Sequence, residues 1–200
     1  MPGGRVRLKH AVWFIRHGQT DWNAERRYQG HADIPLNETG RAQAARNGAA
    51  LRAWLAEARD ALFVSSPLVR AAETLEIVRE AMGLPRKRYA IDDRLIEIDL
   101  GRWNGKTHDE VAAEDPGVHA RRATEKWAFR TPDGESYAEA AARVREFLLA
   151  LDRPAVIAGH GASGRILRAY LLGVKPSRAP HLPAPQDRVI EIRRGREREI

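Results

Sequence analysis

The stretch that most constrains this chain is Ala11-Val12-Trp13-Phe14-Ile15-Arg16-His17-Gly18. Its apolar run, β-branched and aromatic, has the length and composition of a short strand buried on both faces. The run ends abruptly in a cation, an imidazole and a glycine. In an open α/β sheet, ligands bind in the crevice beyond the carboxyl ends of the strands. A glycine there lets the backbone turn sharply and come close to a ligand. A second run, Ala155-Val156-Ile157-Ala158, passes into Gly159-His160-Gly161. Two strands thus each carry a His-Gly pair to the same sheet edge, which predicts one site built from both.

The intervening chain alternates strand and helix patterns. Gln19 to Asn37 is polar and marked by Gly30 and Pro35, a long loop of the kind that carries function. Thr39 is placed to cap a helix over 40–58, whose Ala45, Gly48, Leu51 and Leu55 share a face. Ala61–Ser65 reads as a second buried strand, Ser66-Pro67 as a helix start with proline in the first turn, and Gly83 with Pro85 as that helix's end. Tyr89–Ile91 reads as a short edge strand. The segment from about 101 to 135 holds a capping-box pattern at Thr107 and Glu110 and turn residues at Pro116-Gly117 and Pro132-Asp133-Gly134. It predicts short helices inserted over the site. A second capping box, Ser136 with Glu139, opens a helix to about Leu151, and another helix spans 163–172. Arg188–Ile192 alternates as a last, half-exposed strand, and the tail at 193–199 mixes both charge signs as a solvated strand end does. This order predicts a single α/β domain over 1–200 with a largely parallel sheet and helices on both faces.

Composition narrows the function. The chain is 43% hydrophobic and 30% charged, as a soluble globular protein is. It has no cysteine, which excludes disulfides, thiolate metal sites and cysteine nucleophiles. The apolar run behind the basic residues 1–10 is too short for a signal-peptide core or a membrane span, so the expected location is the cytoplasm. A net charge of +7 favours anionic partners. The arginines are spread along the chain rather than gathered with aromatics, which argues for a small anionic substrate over nucleic acid. Oligomeric state is not legible.

Arg16-His17-Gly18-Gln19-Thr20 with Asn23 resembles the signature of the histidine phosphatase superfamily, which includes the cofactor-dependent phosphoglycerate mutases. Further matches follow in family order: Tyr28-Gln29-Gly30 with Asp33-Ile34-Pro35-Leu36, Ser66-Pro67-Leu68-Val69-Arg70-Ala71-Ala72-Glu73-Thr74, Leu95-Ile96-Glu97, and Gly159-His160-Gly161. The resemblance covers about residues 12–172. It implies a three-layer α/β/α sandwich with four main parallel strands and one antiparallel edge strand. It also implies that His17 is the nucleophile, becoming phosphohistidine. Matching the family's Leu-x-Glu position makes Glu97 the acid/base, and Asn23, Gln29 and Gly30 face phosphate or substrate by resemblance alone.

The residue types suit that chemistry. Phosphoryl transfer needs charge stabilisation on the phosphoryl oxygens, an in-line nucleophile and a proton for the leaving oxygen. Arg16 and Arg70 offer bidentate forks to phosphate, His160 a further donor, and backbone N–H groups at Gly161 and the helix start still more. The attacking nitrogen of His17 must be unprotonated, so its other nitrogen should donate to a carbonyl. Arginines then do the work of a magnesium ion, so no metal and no cofactor is expected. Plainer readings stand beside these: Arg70 paired with Glu73 or Glu76, and Glu97 on the solvent face of a strand; burial raising the Glu97 pKa would instead suit a general acid. Asp99, two residues on, is the reserve acid/base. Residues 159–164 lack the lysine of a phosphate-binding loop, and Arg165 breaks an esterase elbow at Ser163.

The expected activity is a metal-independent phosphomonoester hydrolase of the phosphatase type, acting on a small phosphorylated metabolite. Its insertion is short and lacks the mutases' triple-proline run. A phosphoglycerate mutase is the alternative, with Arg121-Arg122 resembling the mutases' paired arginines. A non-catalytic phospholigand-binding or scaffold protein ranks below both. One departure from the family is Trp103-Asn104-Gly105, where phosphatase-type members commonly carry Trp-Glu-Gly.

Overall fold

The computed structural model describes residues 1–58 and 60–200. A six-stranded sheet is built from β1 (Val12–Arg16), β2 (Leu62–Ser65), β3 (Ala90–Ile91), β4 (Ala155–Gly159), β5 (Val189–Arg193) and β6 (Arg196–Glu199), in the order β3-β2-β4-β1-β5-β6. The four strands β3, β2, β4 and β1 are parallel, while β5 and β6 are antiparallel. The helices are α1 (Asp21–Ala24), α2 (Glu38–Arg52), α3 (Leu55–Ala58), α4 (Val69–Ala81), α5 (His108–Glu114), α6 (Pro116–Glu125), α7 (Tyr137–Ala150) and α8 (Gly161–Leu172).

Strand alternation sorts the core into two layers. Trp13, Ile15, Phe63, Val156 and Ala158 join Leu51 of α2 and Leu75 and Val78 of α4 on one face. Val12, Phe14, Val64, Ala155 and Ile157 meet Val144 and Phe147 of α7 and Ile166, Leu167 and Tyr170 of α8 on the other. Trp13, Ile15 and Ile157 are fully buried, each contributing roughly 2 kcal/mol through apolar surface removed from water. The three-layer sandwich expected from the sequence is the fold observed.

Several local expectations need correction. The antiparallel edge is β6, not β5, because the charged tail pairs with β5 throughout its length. That pairing buries Val189–Ile192 instead of leaving it half exposed, and it encloses Glu191, which Arg193 and Arg198 neutralise. Asn37 rather than Thr39 caps α2, its side chain accepting from Gly40 N–H at 2.9 Å. The expected single helix over 40–58 is split between α2 and α3. The Gln19–Asn37 loop contains α1, closed by a capping box between Thr20 and Asn23. Ser66-Pro67 lies outside the helix, which begins at Val69 as α4, and this leaves the Ser66 hydroxyl available elsewhere. Residues 95–100 form no strand. Both expected capping boxes, at Thr107 and Ser136, are present. Among the described residues no helix is long and apolar enough to cross a membrane.

Candidate active site

The site follows from the register of β1 and β4. Arg16 stands opposite Gly159, and His17 N–H bonds Gly159 O at 2.9 Å. His17 and His160 therefore leave the sheet together, their rings 5.2 Å apart and inclined at 58°. Beyond them lies a cavity of about 570 Å³ lined in part by Arg16, His17, Asn23, Gln29, Gly30, Arg70, Glu97 and Gly161. His160 is fully buried behind this lining.

His17 Nδ1 lies 2.7 Å from Gly18 O, so it donates to that carbonyl and Nε2 carries the lone pair. This is the tautomer a nucleophilic Nε2 requires. Gly18 is itself fixed: its N–H bonds Thr74 Oγ1 at 3.0 Å, and Thr74 Oγ1 donates to Arg70 O at 2.7 Å. A side chain at Gly18 would meet Gly40 O at 2.3 Å, so the loop after His17 packs directly on the start of α2. Burial, with Arg70 and Arg16 close by, pushes the basicity of the His17 ring well below the ordinary histidine value. Burial and the same cations do so for His160. Both rings are neutral at physiological pH.

Arg16 at the end of β1 and Arg70 in the first turn of α4 both line the cavity. Arg16 Nη1 donates to Ala184 O at 2.7 Å, and Arg70 Nη1 and Nη2 donate to Ala32 O and Gly30 O at 2.7 and 2.8 Å. Burial is the main cause pushing both guanidinium groups down to about 10, and both stay charged. Arg70 pairs with neither Glu73 nor Glu76; Glu73 bonds Arg41 and Leu36 N–H. Arg16 Nε, Arg70 Nε and His160 Nδ1 are buried and have no hydrogen-bond partner among the described residues. Each of the two guanidinium donors costs roughly 1–3 kcal/mol if left unpaired, and together beside a neutral histidine they suit a multiply charged oxyanion.

Glu97 is seated on the N-terminus of α8. Its Oε1 accepts from Ser163 N–H at 2.9 Å, Ile98 N–H at 3.0 Å and Ala162 N–H at 3.2 Å, whereas among the described residues Oε2 accepts only from Ala162 N–H at 2.9 Å. Oε2 is thus the oxygen with spare capacity on the cavity side. The helix-start N–H groups expected to reach phosphate are taken at Ala162 and Ser163, which leaves Gly161 N–H. Asp99 is not in the site; its carboxylate accepts from Gly101 N–H and Asn104 Nδ2 at 2.9 and 3.2 Å. Asn104 thereby serves the loop rather than the cavity.

The loop residues divide. Asn23 Oδ1 accepts from Thr20 N–H and Gln186 Nε2 at 3.2 and 3.0 Å, which directs Nδ2 outward as a donor. Gln29 is buried with Oε1 unpartnered among the described residues. Gly30 takes φ +47°, and a side chain there would meet Asn104 Oδ1 at 2.4 Å; its carbonyl braces Arg70.

Sequence reasoning missed several supports. Gln186 Nε2 donates to His17 O at 3.0 Å. Arg143 Nη1 holds Ile96 O at 2.6 Å and its Nη2 holds Glu97 O at 3.2 Å, fixing the backbone of the Glu97 loop. Ser66 Oγ lies 2.6 Å from His160 Nε2. None had a local signal, since each acts across a long sequence separation. The inserted helices close one side of the cavity with His108, Arg122 and Lys126. Arg122 stacks on Tyr28 and Trp103, while Arg121 is 67% exposed and pairs with Glu125, so only one of the two arginines reaches the cavity. Among the described residues no group of three histidines or carboxylates is placed to hold a metal ion.

A profile of the histidine phosphatase superfamily (branch 1) matches residues 12–199. The chain belongs to that family. It is 38% identical over 190 residues to glucosyl-3-phosphoglycerate phosphatase of Mycolicibacterium vanbaalenii, a match spanning 88% of this chain and 80% of that one. The structure of mycobacterial glucosyl-3-phosphoglycerate phosphatase complexed with VO3 superposes with a TM-score of 0.78 at 33% identity, covering 95% of this chain and 97% of that one. A probable phosphoglycerate mutase of Salmonella arizonae is 32% identical over 188 residues, covering 91% of this chain and 80% of that one. The expected family, fold and phosphatase class are borne out, with the mutase the weaker alternative.

Proposed function

We propose that this histidine phosphatase hydrolyses a small phosphomonoester through a phosphohistidine on His17, in the cytoplasm and without a metal or other cofactor. The observation that carries the reading is the neutral His17, its Nε2 lone pair free, beside two guanidinium donors, Arg16 Nε and Arg70 Nε, that have no partner among the described residues. Nε2 attacks phosphorus as the ester P–O bond breaks. Glu97 Oε2 gives its proton to the leaving alkoxide. Water then attacks the phosphohistidine, Oε2 takes the water's proton, and the P–N bond breaks to release orthophosphate. Arg16, Arg70, His160 Nδ1–H, Gly161 N–H and Asn23 Nδ2 hold the equatorial oxygens, charge that persists throughout the reaction.

The relatives' names make glucosyl-3-phosphoglycerate the first substrate to try. Arg122, Lys126 and Arg165 at the cavity suit an ester bearing further anionic or hydroxyl groups rather than nucleic acid. The test is phosphate release from a panel of phosphorylated metabolites by EDTA-treated protein, together with alkaline denaturing quench of the enzyme during turnover. Turnover with an acid-labile, base-stable phosphate on His17, lost in His17→Ala, supports the reading. No turnover on any ester overturns it and leaves a binding protein.

The cationic lining also favours one second reading, the mutase. Interconversion of 3- and 2-phosphoglycerate with a bisphosphoglycerate primer and negligible phosphate release would establish that instead.

A further inference from the structure

We propose that Ser66 is a positioning residue for the phosphatase chemistry: its hydroxyl donates to His160 Nε2 and so places that ring's proton on Nδ1, where it serves the phosphoryl group. The inference rests on the phosphatase reading above.

Ser66 Oγ and His160 Nε2 are 2.6 Å apart, and both residues are fully buried. Heavy atoms alone leave two directions for the proton. If Nε2 carried it, Ser66 Oγ would receive that N–H. It also receives Leu68 N–H at 3.4 Å. The serine's own proton would then have no acceptor in a buried place, and Nδ1 would present a bare lone pair toward anionic oxygens. With the serine donating, Oγ accepts from Leu68 and gives to Nε2, and the ring's one N–H stands at Nδ1, the atom without a partner among the described residues. Only the second arrangement satisfies the serine and offers a donor to phosphate.

The choice matters because His160 is neutral. A charged imidazolium would donate from both nitrogens whatever Ser66 did. Burial, together with Arg70, His17 and Arg16, keeps the ring uncharged, so it has a single N–H to place. His17 shows the complementary solution with the same tautomer. Its Nδ1–H is spent on Gly18 O and its lone pair faces the substrate. In His160 the lone pair is spent on Ser66 and the N–H is kept for the substrate. The serine is held for the task from both sides: Ser66 N–H bonds Ala158 O at 3.0 Å, and Ser65 Oγ bonds Ser66 O at 2.9 Å.

The test is long-range ¹H–¹⁵N correlation spectroscopy on protein labelled with ¹⁵N-imidazole histidine. The His160 signals are identified by their loss in His160→Gln. Wild type should show a protonated Nδ1 and an unprotonated Nε2, and Ser66→Ala should move the proton toward Nε2. In parallel, Ser66→Ala should lower kcat by about 10- to 100-fold, the scale for losing one donor to a developing oxyanion. KM should change far less, and Ser66→Thr, which keeps the hydroxyl, should recover most of the loss. A wild-type His160 protonated at Nε2 overturns the proposal, as does an unchanged tautomer in Ser66→Ala. The wild-type spectrum decides even if the alanine variant does not fold. The two readings fail separately: no phosphate release by wild type overturns the phosphatase, whereas release that Ser66→Ala retains within about twofold overturns the role of Ser66.

Discussion

Arg16 and Gly159 face one another across the ladder of two parallel strands, and that one pairing sets His17 and His160 side by side, both buried and close to Arg16 and Arg70. Both rings bind protons less readily than a histidine in an unfolded chain. Between the lowered folded value and the ordinary 6.5, the unfolded chain holds more protons, so stability rises with pH. Thermal denaturation should therefore show Tm level above pH 6.5 and falling as pH drops below it. In His160→Gln the fall should be shallower. The acid limb of kcat/KM assigned to His17 should also lie below 6.5.

Glu97→Gln should depress kcat by roughly 10²- to 10⁴-fold, the range for losing a general acid–base. The amide keeps an acceptor for the α8 N–H groups but carries no transferable proton. Aryl phosphates, whose leaving groups need little protonation, should suffer less than alkyl phosphates. Equal loss on both substrate classes would assign Glu97 to holding the helix start alone.

Arg70→Lys should fail despite the conserved charge. The guanidinium spans Ala32 O and Gly30 O while keeping Nε for the cavity, and an ammonium cannot hold this planar arrangement. Activity should fall at least about 100-fold, with a stability loss of about 2 kcal/mol from the unpaired carbonyls. Steady-state kinetics and denaturant titration measure the two effects.

The glycines of α2 separate stability from catalysis. A methyl at Gly40 would sit 2.1 Å from Gln19 O, and one at Gly48 would sit 2.6 Å from Val78 O. Each substitution to alanine should destabilise by about 1–3 kcal/mol through overpacking. Gly40→Ala should also reduce kcat, because it displaces the loop that orients His17. Gly48→Ala should leave kcat near wild type below its melting range.

Much of this arrangement is written locally in the chain. The apolar runs ending at Ile15 and Ala158 announce two buried strands, and His-Gly after each marks the edge where they open. The motifs around Arg70 and Glu97 carry their own identity. What local pattern hides is the partner of each group. Ser66-Pro67 looks like a helix start, because nothing nearby reveals a histidine 94 positions away. Glu97 among leucines and isoleucines looks like a strand residue, because the helix terminus that receives it lies 65 positions downstream. The charged tail reads as solvated, because its pairing with β5 places charge along an edge where water still reaches it.

The loop near the end of the sheet's chain path has one more consequence. Ala184 O receives Arg16, and Gln186 ties down both His17 O and Asn23 Oδ1. His17 precedes Gln186 by 169 positions, and Arg16 precedes Ala184 by 168, so the braces are made long after the residues they hold. A nascent chain therefore carries the His17 imidazole unaimed until those later residues emerge, since domains complete their folding only as the later segments appear. On the proposed function, ribosome-bound chains stalled before residue 184 should be silent toward phosphoesters.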